Sequence, residues 1–203
     1  LPNIEQKGAS LSPNQALTRS KSTYLIKPFQ WEDWNGLWQL RTRQLAEEGI
    51  MTDGELPEKP DLSSPYEQDY HRIDQVYLAA RGNFWIAWMD ALPVGHIGAE
   101  DKGDHVELRR MYVRSEYRRH GIGTLLVQAL IKHCIEQKVG IVELWTANDG
   151  PGRFLYEKLG FRQVEIAGEE LDGTTDDNNE IRMRLALTDL STAGRGKIKW
   201  TKF

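Results

Sequence analysis

The run Arg118-Arg119-His120-Gly121-Ile122-Gly123 constrains this chain more than any other stretch. An extended, β-rich segment, Val106–Val113, precedes it. A helical segment, Thr124–Gln137, follows. Two glycines at a strand-to-helix turn let the backbone bend sharply and approach a ligand closely. The first amides of the helix have no partner within it, and together with the helix dipole they attract phosphate. Arg118 and Arg119 add fixed positive charge. The turn reads as a pyrophosphate cradle or, on local grounds alone, as a plain left-handed turn before a helix. It is not a P-loop, because no Lys follows Gly123. It is not a dinucleotide turn either, because Leu126 stands where a third small residue belongs.

The rest of the sequence sets the frame. With 203 residues the chain has room for one domain and short arms. Its net charge of −4 argues against a protein built to coat nucleic acid. Arg109, Arg110, Arg114, Arg118 and Arg119 cluster around the turn, while acids dominate Glu47–Asp61 and Glu165–Glu180. One cysteine, Cys134, excludes an internal disulfide and points to a reducing, cytoplasmic compartment. No apolar run reaches membrane-spanning length, and no charged-then-apolar signal segment opens the chain. No histidine spacing suggests a metal site.

Periodicity gives the elements. Residues 1–20 read as a polar arm, 21–188 as the folded domain and 189–203 as a basic tail. Ser22–Phe29 is a first strand. Trp34, Leu37, Trp38, Arg41 and Leu45 repeat at helical spacing within Trp31–Glu48, an aromatic stripe better suited to a core than to a pocket. Tyr66 to Leu78 suggests a second helix ending near Gly82. Phe84–Met89 and Val94–Ala99 flank a turn at Asp90–Pro93. His105–Val113, Ile141–Thr146, Phe161–Ile166 and Glu180–Leu187 are further strands. Pro151–Leu159 is a short helix. The order β-α-α-β-β-β-α-β-α-β-β predicts an α/β (α+β) fold. Its sheet is mixed, mostly antiparallel, with six to seven strands and about four flanking helices.

Three pieces coincide: the strand ending at Val113, the phrase Arg118-x-x-Gly121-x-Gly123, and Tyr156-Glu157-Lys158-Leu159-Gly160-Phe161 after the next strand. Together with the element order they resemble the GNAT superfamily of acetyl-CoA-dependent N-acetyltransferases. The resemblance spans Tyr24 to Leu187 in architecture, with its specific motifs inside Val106–Phe161. It implies acetyl-CoA as cofactor, with coenzyme A pyrophosphate on the amides of Arg119, His120, Gly121, Ile122, Gly123 and Thr124. It also implies main-chain contacts from Met111 and Val113 to the pantetheine arm, and a slot where the two central strands part. Tyr112, Arg118, Asn148 and Arg153 complete the implied cofactor set.

Acyl transfer to an amine requires the amine to lose a proton and the departing thiolate to gain one. Glu107 is the candidate base. It precedes Arg118 at the spacing of the catalytic glutamate in the histone-acetylating branch, and even strand alternation would put it on one face with Arg109, Met111 and Val113. A surface carboxylate paired to an arginine is the competing reading, and Glu143 and Glu100 are weaker candidates. Tyr156 is the candidate acid toward the coenzyme A sulfur, or else a tyrosine packed on the sheet. Asn148 contacts the pantetheine or forms an Asx turn with Asp149-Gly150. His133 and Cys134 lie mid-helix and make no nucleophile–base pair. The expected activity is N-acetylation of a small-molecule or peptide amine. The acidic segments favour a cationic acceptor if they face it, and are otherwise two solvated loops. A non-catalytic acyl-CoA-binding module on the same scaffold is the alternative, and the two arms are compatible with a homodimer.

Overall fold

Alternating burial along the central strands organises the molecule. In the computed structural model, which describes residues 24–52, 59, 67–164 and 179–187, seven strands form one sheet in the order β1-β2-β3-β4-β5-β7-β6. They are β1 (Tyr24–Pro28), β2 (Asn83–Met89), β3 (Leu92–Asp101), β4 (Val106–Val113), β5 (Ile141–Ala147), β6 (Arg162–Gln163) and β7 (Glu180–Ala186). The helices are α1 (Trp34–Glu47), α2 (Gln68–His71), α3 (Ile73–Val76), α4 (Ile122–Glu136) and α5 (Pro151–Lys158). Neighbouring strands run antiparallel except β4 and β5, which are parallel and joined through α4. The GNAT-type element order and mixed sheet expected from the sequence are therefore present. The arm 1–20, the tail 189–203 and most of the acidic segments lie outside the described residues. Among the described residues, no helix is long and apolar enough to cross a membrane.

Each face of the sheet carries its own core. On one side, Ile122, Leu126, Val127, Leu130, Ile131 and Cys134 recur at three-to-four-residue spacing on α4 and pack against Val94, Ile97, Val106, Leu108, Val142 and Leu144. On the other, Leu37 and Leu40 of α1 join Tyr70, Ile73 and Tyr77 over Phe84, Ile86 and Tyr112. The aromatic stripe of α1 belongs to this second side. Trp38 is buried, and Trp34 stacks on it with ring centroids 6.1 Å apart.

Two local expectations change. The predicted single helix ending near Gly82 is two short ones, because Arg72 leaves the helical region (φ −118, ψ 32) and its amide closes the first turn on the Asp69 carbonyl. The β2–β3 turn is tighter than read: Met89 pairs with Leu92, so only Asp90 and Ala91 form the loop, and Pro93 sits in β3 opposite Trp88 at an irregularity of the register.

Candidate functional site

The parallel pair β4–β5 is short. Val106 pairs with Val142 and Glu107 with Glu143; β5 pairs along its whole length with β7. Beyond Glu107 the two strands part, and the gap becomes a cleft of about 1230 Å³. Its walls come from the rest of β4, from Trp145 and Thr146 of β5, from the first turn of α4, and from Phe154–Tyr156 of α5.

A bulge shapes the β4 wall. His96 pairs with Tyr112 and Gly98 with Arg109, so Arg110 and Met111 both stand opposite Ile97. Arg110 takes φ +54, a left-handed conformation that costs a non-glycine residue about 1–2 kcal/mol. A largely buried ion pair holds it there. Arg110 Nε and Nη2 donate to the two oxygens of Asp69 at 2.7 and 2.8 Å, and the Tyr77 hydroxyl donates to the same carboxylate at 2.5 Å. Burial works to raise the Asp69 carboxyl, but the Arg110 hydrogen bonds and charge outweigh it and keep it below the usual range.

The bulge corrects the alternation argument. Glu107, Arg109, Met111 and Val113 do not share a face. The extra residue shifts the phase, so Glu107 and Arg109 lie with Tyr112 on the α1–α3 side. Met111 and Val113 turn with Leu108 toward α4. The Arg114 amide bonds back to the Val94 carbonyl of β3. By strand alternation the amides of Met111 and Val113 then face the opposite edge, toward the opened gap.

The glycine turn forms the mouth of the cleft. Arg119 has φ +67 and Gly121 φ +87, and Gly121 is the N-cap of α4 without a side-chain cap. The Leu125 amide is the first to bond back, to the Gly121 carbonyl at 3.0 Å. Among the described residues, the amides of Arg119 through Thr124 donate to no protein acceptor. A Cβ on Gly121 would meet nothing within 4 Å, so the approach to these amides is open. A Cβ on Gly123 would come within 3.1 Å of Met111 Cε and 3.2 Å of Leu155 Cδ2, so its absence keeps the gap between β4 and α5 clear. This row of donors fits a diphosphate.

Arg118 has a different task from adding loose positive charge. It donates from Nε to the Val113 carbonyl at 2.9 Å and from Nη2 to Glu47 at 2.8 Å. Glu47 also accepts from the Ser115 amide, the Ser115 hydroxyl and Arg43 Nε at 3.2, 3.0 and 3.1 Å. Burial works to raise its carboxyl, yet these bonds hold it below the ordinary range. The end of α1 is thereby clamped to the turn. The sequence offered no signal for this, since Glu47 stood at the end of a predicted helix as the first of a run of acidic residues.

The ionisable candidates separate by partner. Glu143 is buried and accepts from Arg182, from Arg182 Nε at 2.7 Å and from Arg184 Nε at 2.6 Å. Burial opposes its ionisation, but these arginines hold it ionised below the usual range. Glu100 is likewise lowered: bonds from Lys102 and Arg109, both at 2.7 Å, outweigh its burial. Glu107 lines the cleft, and Lys102 Nζ lies 3.5 Å from it. Tyr156 also lines the cleft and is 5% exposed; burial alone pushes its phenol above the ordinary range.

Met111, Tyr112, Val113, Arg118, Arg119, Gly121, Ile122, Gly123 and Thr124 all border the cleft. Asn148 and Arg153 are not among the residues lining the cleft and engage each other: Arg153 Nη1 donates to the Asn148 carbonyl at 3.2 Å and to its side-chain oxygen, closing the β5–α5 loop. The exposed His120 has Nδ1 2.9 Å from the Arg118 carbonyl. Cys134 is buried on the sheet-facing side of α4. Sequence reasoning passed over Trp145 and Phe154, which line the cleft while remaining 46% and 68% exposed. Two large apolar residues left in solvent beside a gap are a signal only once the fold is known.

Comparison with known proteins agrees with this geometry. Residues 34–161 match the family described as "Acetyltransferase (GNAT) family". "N-acetylaspartate synthetase" of Danio rerio is 36% identical over 117 residues, covering 56% of this chain and 40% of that protein. "Probable N-acetyltransferase camello" of Xenopus tropicalis is 33% identical over 104 residues, 49% of this chain and 48% of that one. The chain thus spans about half or less of the curated relatives it matches. Among solved structures, an acetyltransferase from Streptococcus agalactiae superposes with a TM-score of 0.63 at 20% identity, over 80% of this chain and 98% of that one. A PaiA N-acetyltransferase from Thermoplasma acidophilum, in complex with coenzyme A, gives 0.58 at 18% identity over 81% and 99%.

Proposed function

Since the chain belongs to the GNAT acetyltransferase family, we propose that it moves an acyl group, acetyl by default, from an acyl-coenzyme A thioester to an amine. The observation that carries this reading is the row of partnerless amides from Arg119 to Thr124 at the mouth of the parted β4–β5 pair. In this reading the row holds the pyrophosphate. The amide edges of Met111 and Val113 hold the pantetheine arm, and Glu47 braces the turn through Arg118 and Ser115.

The thioester supplies an activated carbonyl. The chain's own side chains manage protons. An alkylammonium of pKa near 10.4 costs about 4.6 kcal/mol to deprotonate at pH 7. A carboxylate acting directly or through one water shares that cost in the transition state. Glu107 is the base in this reading, because Glu100 and Glu143 are each engaged by two cationic side chains while Glu107 faces the cleft. Tyr156, with its proton held tightly by burial, is the hydrogen-bond donor toward the departing sulfur.

A cationic acceptor draws less support from the described residues. Glu47 is committed to the turn and Glu48 accepts from Gln44 at 2.7 Å, while Glu180, the one acid of the second segment among the described residues, borders the cleft. The cytoplasmic reading rests on the single, buried cysteine.

The test is coenzyme A release, corrected for hydrolysis, over a panel of amines. Glu107→Gln is expected to lower kcat about 10²–10³-fold and Tyr156→Phe about tenfold or more, with coenzyme A affinity retained. Coenzyme A binding without turnover of any amine would instead support a non-catalytic acyl-CoA module.

A further inference from the structure

A second, smaller chamber of about 190 Å³ lies between α2–α3 and β4. Arg109 and Arg110 border both it and the main cleft. Three guanidinium groups, Arg72, Arg109 and Arg110, face two carboxylates there, Asp69 and Glu100. The chamber is half-open to solvent and large enough to admit a carboxylate.

The donors and acceptors in this chamber are unequally engaged. Asp69 accepts from Arg110 at both oxygens and from Tyr77. Glu100 accepts from Lys102 at one oxygen and from Arg109 at the other. Both acids are therefore already matched by cations. Arg109 donates to Glu100 from Nη1 alone, and Arg72 donates from Nε to the neutral Gln75. A guanidinium carries five N–H donors in a planar fork that suits a carboxylate. The surplus on this wall is cationic donors, which repel a second ammonium and attract an anion.

Placement ties this surplus to the reaction. Arg109 and Glu107 share one face of β4, two residues apart, so their Cα atoms are about 6.6 Å apart along the strand. One end of that span offers a carboxylate to an ammonium and the other offers guanidinium groups to a carboxylate. We propose that the Arg72–Arg109 chamber binds the carboxylate of the acceptor, which makes the substrate a small amino acid or amino-acid derivative and not a polyamine. The assignment rests on the acyltransferase reading above for its role, and on the chamber alone for its ligand.

The experiment separates the two. Succinate, a dicarboxylate without an amine, is titrated calorimetrically into the coenzyme A-saturated protein, with succinamide as its uncharged twin. Succinate is expected to bind and succinamide not. Arg72→Gln, at an exposed position, is expected to weaken succinate about tenfold while leaving coenzyme A affinity unchanged. Arg109→Lys, which keeps charge but loses the fork, is expected to weaken it at least as much. Failure of succinate to bind, or equal binding by wild type and Arg72→Gln, overturns the carboxylate site. In parallel, coenzyme A release is measured with aspartate and with its diamide. Equal turnover of the two overturns the acceptor assignment and leaves the transferase reading standing. Arg72-dependent succinate binding with no amine turned over overturns the transferase reading instead.

Discussion

Two glycines provide a matched test of the phosphate cradle. Gly121 has φ +87 and Gly103, in the β3–β4 turn, has φ +90; a Cβ on either would meet nothing within 4 Å. Replacing either with Ala therefore adds no clash and imposes only the strain of an L-residue in the left-handed region, about 1–2 kcal/mol. For a chain of this size each kcal/mol lowers Tm by about 2–4 °C, so both variants are expected to melt about 2–8 °C lower than wild type. Their ligand binding should diverge. Gly121 sits within the row of partnerless amides, and relief of strain there turns at least one donor away. One hydrogen bond to a charged group contributes about 1.5–3 kcal/mol, which corresponds to roughly 10- to 100-fold in Kd. Thermal melts without ligand and calorimetric titration with coenzyme A read the two effects separately. Gly121→Ala should lose both stability and affinity, and Gly103→Ala stability alone. Equal affinity in the two variants, at comparable loss of Tm, would refute the reasoning.

Three further outcomes follow from the same structure. Breaking the largely buried Arg110–Asp69 pair with Asp69→Asn should cost about 2–4 kcal/mol in urea unfolding, somewhat below the cost for a fully buried pair, and a loss under 1 kcal/mol would show that the bulge stands without it. His96 is fully buried and its imidazole is pushed down to about 3 by burial, so between pH 6.5 and 3 the unfolded chain binds a proton that the fold refuses. Stability should therefore rise with pH across that window, by on the order of 5 kcal/mol in all, and His96→Phe should flatten the slope measured by denaturant titration; an unchanged slope would contradict this. Burial pushes the Cys134 thiol up to about 12, so a thiol reagent at pH 8 should label the native protein at least a hundredfold more slowly than the urea-unfolded chain, and equal rates would contradict the burial.

The legible parts of this molecule were those written in local pattern. Apolar residues at helical spacing gave α4, the β-rich runs gave the central strands, and the glycines of the turn gave the cradle with its free amides. What could not be read depends on partners far apart in the chain. The bulge at Arg110 carries no glycine to mark it. Its left-handed backbone is held by Asp69, 41 residues earlier, and it alone moves Met111 and Val113 to the other face from Glu107 and Arg109. Glu47 shows the same limit: its role as a brace appears only when the end of α1 meets Ser115 and Arg118 across about 70 residues of chain. Asn148, read as a pantetheine contact or an Asx turn, and Arg153, placed in the cofactor set, also engage each other across the loop they close, a pairing that local pattern did not show.

The account stands on where coenzyme A binds, and an amide-resolved NMR titration measures that directly. Saturating coenzyme A is expected to move the backbone amide signals of residues 119–124 most, with smaller shifts at Met111 and Val113. Undisturbed signals from 119 to 124, or the largest shifts falling on another part of the sheet, would contradict it.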